Sequence, residues 1–227
     1  MHLIIIIILL LLLLVVPQWW VNRVMARHNR KVEENFPGTG AELARHLLKR
    51  FELEVVTVEV TDQGDHYDPI AKVVRLTKDK YDGRTLTAIS TAAHEVGHAL
   101  QDALGEPLFR WRTRLAVVVG VGQKLGSFLL FAAPFLSLVS RTPWVGLISV
   151  VAAFMVMGLG LLVQLVTLPV EWDASFNKAL PLLKEGYLEE QQIRPTEQIL
   201  RAAALTYVAG SLVGLLNFWR WMRVLRR

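Results

Sequence analysis

Residues 85–103 read TLTAISTAAHEVGHALQDA. A threonine suited to capping opens the stretch, Leu104-Gly105 and Pro107 close it, and nothing between them breaks a helix. Leu86, Ile89, Ala92 and Ala93 make its first half apolar enough to bury. The pentad inside it is His94-Glu95-Val96-Gly97-His98. On a helix, positions i and i+4 lie one turn apart on one face, so both imidazoles can reach a single zinc ion. Glu95 projects beside that face, close enough to take a proton from metal-bound water. Two buried histidines and a glutamate lacking such a role carry a heavy desolvation cost.

The rest of the chain decides where this helix sits. Of 227 residues, 53% are hydrophobic, and the mean hydropathy is +0.38. The apolar residues come in runs: 3–16 holds no polar residue, and 115–170 is almost continuously apolar. About 20 apolar residues cross the hydrocarbon of a bilayer, and a soluble core needs no runs of that length. The net charge of +5 and pI near 9.7 gather after apolar runs, at Arg23, Arg27, Arg30 and Lys31 and again at Arg220, Arg223, Arg226 and Arg227. There they anchor helix ends against anionic lipid, and with no nucleic-acid-binding motif beside them no nucleic-acid partner is expected. With no cysteine, disulfides and thiolate metal sites are excluded.

The expected fold is a mostly α membrane protein with about four transmembrane helices and a zincin-like α+β cytoplasmic region carrying the HExxH helix. Residues 1–21 form an N-terminal transmembrane anchor ending in Trp19-Trp20. Residues 22–114 form the catalytic region, 115–170 a transmembrane helical hairpin turning at 140–143, 171–201 a helical region, and 202–227 a last apolar helix with a basic tail. Inside the catalytic region the pattern predicts a helix over 42–51 capped by Thr39, strands over 53–60 and 73–76, a loop over 61–69 and a turn at 80–83. Fifteen of the 25 Lys and Arg residues fall between 22 and 114, which puts that region on the cytoplasmic side of a multi-pass protein of the cell membrane. The same count returns 171–201 to that side and sends the basic tail across, against the positive-inside tendency.

Catalytic zinc normally takes three protein ligands and leaves a fourth position open. Glu171 and Asp173 are the first carboxylates after Glu106 and stand where the chain leaves the hairpin, so the third ligand is expected there. Asp102, four residues after His98, and Asp173 are candidates to accept the other N–H of a ligating histidine. His66 and Tyr67, in the polar stretch 65–69, are candidates to donate to a developing oxyanion, with Tyr207 and Arg201 as further ones.

Four stretches carry a family resemblance: 65–76 (DHYDPIAKVVRL), 92–102 (AAHEVGHALQD), 164–175 (QLVTLPVEWDAS) and 202–209 (AAALTYVA). Together they resemble the YugP-like neutral zinc metallopeptidases over nearly the whole chain. The resemblance implies a bacterial-type membrane zinc peptidase with His94 and His98 as ligands and Glu95 as the catalytic residue. A more distant similarity is to HtpX-type membrane proteases, whose third-ligand glutamate opens a Glu-aromatic-x-Ala-Asp motif after a membrane hairpin. Glu171-Trp172-Asp173-Ala174-Ser175 matches that motif at the glutamate, the aromatic and the alanine, and departs from it at Ser175. This selects Glu171 as the third ligand.

The chain is therefore expected to hydrolyse membrane or membrane-proximal polypeptides with one Zn2+ held by His94, His98 and Glu171 and with Glu95 as general base. The alternative is a zinc-stabilised membrane scaffold without turnover. Glu95 argues against it, because a structural zinc site needs no base and closes all four positions.

Overall fold

The computed structural model describes residues 2–30, 32 and 36–225. Helix α1 spans His2–His28. Helix α2, Gly40–Arg50, starts at Thr39, whose hydroxyl accepts from the Glu42 N–H while the Glu42 carboxylate accepts from the Thr39 N–H at 2.7 Å. This reciprocal cap fixes the entry of a helix that buries Leu43, Ala44, Leu47 and Leu48.

A three-stranded sheet follows: β1 Thr57–Thr61, β2 His66–Asp68 and β3 Val73–Thr77, in the order β1-β3-β2. β1 runs parallel to β3 with Thr57 opposite Val73, and β2 runs antiparallel to β3 with His66 opposite Arg75. The predicted strand over 53–60 is shortened at its start, because the chain turns through a Val56 N–H to Leu53 carbonyl bond and a positive φ at Glu52. Within the predicted loop 61–69, residues 66–68 are instead an edge strand. Its Asp and His content reads as turn, but the ladder to β3 decides the conformation. The turn back to β3 is made by Asp68, whose carboxylate accepts from the Ile70 and Ala71 N–H groups. The predicted turn at 80–83 carries the end of a short helix, α3, Lys78–Tyr81.

Helix α4, Leu86–Ala103, is capped by Thr85, whose hydroxyl accepts from the Ala88 N–H at 3.1 Å. Nearly every residue of it is buried. The sheet and α2 cover it on one side, with Val74, Leu76, Leu47 and Leu48 in the shared core. The end of α1 is tied to its start, where the Thr87 hydroxyl donates to the Met25 carbonyl and the Thr85 hydroxyl to Asn29.

Gly105, at a φ of 66°, turns the chain into α5, Pro107–Ser140. Arg141, also left-handed, turns it again into α6, Pro143–Trp172. These two helices pack on each other and leave large apolar side chains outward, among them Phe128, Phe131, Leu138, Ile148 and Met155. Water does not favour an apolar surface of that extent. α6 continues without a break into a π-helical stretch, Asp173–Ala179, then α7, Leu180–Lys184, and finally α8, Glu190–Leu225. α8 packs along α1 through Val21, Ala202 and Ala209.

The mostly helical expectation holds, but the count of about four transmembrane helices does not. Among the described residues, one helix, Pro107–Ser140, is long and apolar enough to cross a membrane, with a shorter apolar stretch at Pro143–Ala153. Helix boundaries differ from the apolar runs: α8 begins at Glu190, not near 202, and its first turns carry Arg194, Glu197 and Arg201. The zincin-like α+β region reduces to a small mixed sheet and α2 packed against α4.

Candidate metal centre

The i, i+4 spacing of α4 places the rings of His94 and His98 with centroids 4.7 Å apart on one buried face. The face is met by the end of α6 and the π-helical turn. Gly97 makes that approach possible: a Cβ there would lie 2.7 Å from the Ala174 carbonyl oxygen. With glycine on one backbone and alanine on the other, Glu171 arrives within reach of both imidazoles. Its Oε2 lies 3.1 Å from His98 Nε2 and 3.3 Å from His94 Nε2. Ligand atoms of the three residues all lie within 4.8 Å of one another, a grouping that could hold a metal ion.

Hydrogen-bond bookkeeping sets the tautomers. The Ser175 hydroxyl donates to the Leu200 carbonyl at 3.0 Å, so toward His94 Nδ1, at 2.9 Å, it can only accept. The Gln101 amide nitrogen donates to the Val170 carbonyl at 2.9 Å and to Asp173 at 2.8 Å, which leaves its oxygen to accept from His98 Nδ1 at 2.8 Å. Both rings therefore carry their proton on Nδ1, and both Nε2 lone pairs face the Glu171 carboxylate. With neutral rings three acceptors converge and need a proton or a metal ion between them, and two imidazoles with a carboxylate form a donor set suited to zinc. The residues present fit that metal.

Burial and charge oppose each other throughout the site. Burial disfavours the charged form of Glu171, but the charges of His98 and Arg112 win and hold it well below the usual carboxylate range. For His94, burial is likewise outweighed, by Glu171 and Glu95, and the imidazole is shifted up. His98 is pushed down to about 4, chiefly by burial, and so is neutral and free to ligate at neutral pH. Burial pushes Glu95 up to about 7, and one of its oxygens, Oε2, is buried without a hydrogen-bond partner.

The other expected residues lie apart from this cluster. The Tyr67 hydroxyl donates to Asp102 at 2.7 Å, and Lys72 donates to the same carboxylate at 2.6 Å. Asp102 thus braces the sheet against α4 and does not orient His98. Asp173 acts one step removed, through Gln101. His66 is tied to the Gly64 carbonyl at 2.8 Å. His66 and Tyr67 do line a cavity of about 430 Å³ with Ile70, Val117, Arg112 and Tyr207, so they border the space beside the cluster. Tyr207 stacks beneath Arg112, whereas Arg201 lies over Trp172.

Residues 3–226 match the model of the family described as "Putative neutral zinc metallopeptidase". The chain belongs to this family. It is 36% identical over 196 residues to a protein of Bacillus subtilis (strain 168) named "Putative membrane protease YugP", covering 86% of this chain and 84% of the relative. No solved structure matches it.

Sequence reasoning missed Gln101, Ser175 as a hydrogen-bond partner, and Arg112. Gln101 had a signal, since position i+3 from His98 shares its face. Ser175 stood out only as a departure from a motif. Arg112 was visible as a cation just before an apolar run, and an ionisable residue in such a helix calls for a named partner. That partner is Glu171.

Proposed function

We propose that this chain is a membrane-bound zinc endopeptidase, with His94, His98 and Glu171 as ligands, Glu95 as general base, and the site facing the cytoplasm. The observation that carries this reading is the convergence of three acceptor atoms beside the buried, unpartnered oxygen of Glu95. Zinc, when bound, supplies Lewis-acid polarisation of the scissile carbonyl and acidifies water.

The chain's own residues do the rest. Ser175 and Gln101 hold the imidazoles in the ligating tautomer. Glu95 accepts a proton from the attacking water and returns it to the departing amine. Burial lifts the pKa of Glu95 in the metal-free protein, and a bound dication opposes that shift and favours the carboxylate that acts as base. The cavity beside Arg112 and Tyr207, walled partly by Ala116, Val117 and Val163, offers an extended polypeptide an apolar seat next to the site. The apolar exterior of α5 and the name of the Bacillus relative support the membrane, and the basic content of 22–114 supports the cytoplasmic side.

The test is zinc content together with proteolysis of unfolded and membrane polypeptides by purified wild type and Glu95→Gln. One zinc per chain, with turnover in wild type alone, supports the reading. Zinc retained with no cleavage of any substrate by wild type favours a zinc-stabilised scaffold.

A further inference from the structure

The two oxygens of Glu171 face different partners. Oε2 points at the Nε2 atoms of both histidines, while Oε1, which accepts no hydrogen bond from the described residues, forms an ion pair with Arg112 Nη2 at 2.6 Å. Arg112 rides on α5, and its guanidinium packs over the rings of Phe109, at 5.8 Å, and Tyr207, at 5.2 Å. A planar cation held by two rings and one carboxylate oxygen has little freedom to leave. A carboxylate can ligate a metal through one oxygen or two, and an oxygen already paired with a largely buried arginine is withheld from the second bond.

We propose that Arg112 is a positioning residue that restricts Glu171 to one-oxygen ligation, keeping a coordination place open for the reacting groups. The inference rests on the reading of His94, His98 and Glu171 as zinc ligands. Arg112 acts on the metal through Glu171, and it also lines the cavity beside the site. Its place explains why the candidate membrane helix carries an arginine facing inward near its start. It also means that α5, and not only α4 and α6, sets the geometry of the metal centre.

The experiment uses the full chain in detergent, as wild type, Arg112→Gln and Arg112→Lys, loaded with Zn2+ or with Co2+ as a spectroscopic probe. Arg112→Gln is expected to hold zinc against a competing chelator at least as well as wild type, because the freed oxygen adds a bond to the metal and a neighbouring cation is gone. Its Co2+ absorption is expected to weaken toward that of a five-coordinate ion, as Glu171 takes up the metal with both oxygens. Arg112→Lys keeps the charge without the planar fork and should fall between the two. A merely structural role would lower the melting temperature of metal-free protein and leave the Co2+ spectrum unmoved, and that result overturns the proposal. If Arg112→Gln does not fold, the Arg112→Lys spectrum decides, and identity with wild type again overturns it. Failure of wild type to take up either metal removes the ligand assignment itself, and the inference falls with it.

Discussion

The Ser175 hydroxyl lies 2.9 Å from His94 Nδ1 and donates its own O–H to the Leu200 carbonyl, 3.0 Å away. A neutral hydroxyl here does what a carboxylate does elsewhere: it fixes the ring's tautomer and orientation. It also ties α8 to the metal centre, because its second bond reaches that helix.

Ser175→Ala leaves the His94 ring and the buried Leu200 carbonyl without this partner. Zinc affinity should fall about 10-fold, within the range for such losses, and stability by roughly 1–3 kcal/mol. Chelator competition and denaturant unfolding measure the two effects. Unchanged affinity means that packing alone orients His94.

Glu95→Gln is nearly isosteric and removes the base. Peptide hydrolysis should fall by about 10²–10⁴-fold while zinc content stays at the wild-type level. Loss of zinc in this variant would instead make Glu95 part of the metal's support.

Gly97→Ala puts a methyl group 2.7 Å from the Ala174 carbonyl oxygen, backbone that cannot step aside cheaply. A cost of about 1–3 kcal/mol is expected, together with weaker zinc binding as Glu171 is pushed outward. Thermal melting with and without zinc separates the two. A variant as stable as wild type shows that the helices have slack there.

The metal-free protein should lose stability as pH rises from about 6.5 to 8. Below 6.5 the trend is offset by His98, which burial holds down to about 4 and which therefore favours the folded state as pH rises. Burial lifts Glu95 from 4.5 to about 7, so between those values the folded state binds a proton that the unfolded state has released. Stability is then present at low pH and falls as pH rises, by an amount on the order of 1–3 kcal/mol. His94, also shifted up, adds in the same sense, its contribution complete below 6.5 and lost above it. Denaturation midpoints at several pH values in the presence of chelator test this, and Glu95→Gln should flatten the slope. A slope of the opposite sign rules out Glu95 as its origin.

Much of the site was legible because it is local. The i, i+4 pair needs only a helix, and the α4 boundaries follow from Thr85 and Gly105. The end of the apolar stretch narrowed the third ligand to Glu171 or Asp173, and the resemblance of 171–175 to a Glu-aromatic-x-Ala-Asp motif chose between them. Gln101, Ser175 and Arg112 were harder, since their roles depend on which atoms remain free after other bonds are made. Short strand β2 was hidden by residues with turn chemistry, and helix lengths were obscured because apolar runs mark where a helix is greasy, not where it starts.

The closeness of Gly97 to Ala174 has one more consequence. Two backbones in contact leave the ligand-bearing side chains only their own torsions to adjust, so the ligand atoms are gathered before any ion arrives. Most of the entropy lost in assembling the centre is then spent during folding. Metal-free and loaded protein should superimpose closely at the site, and an ion that prefers another geometry gains little relief from the surroundings.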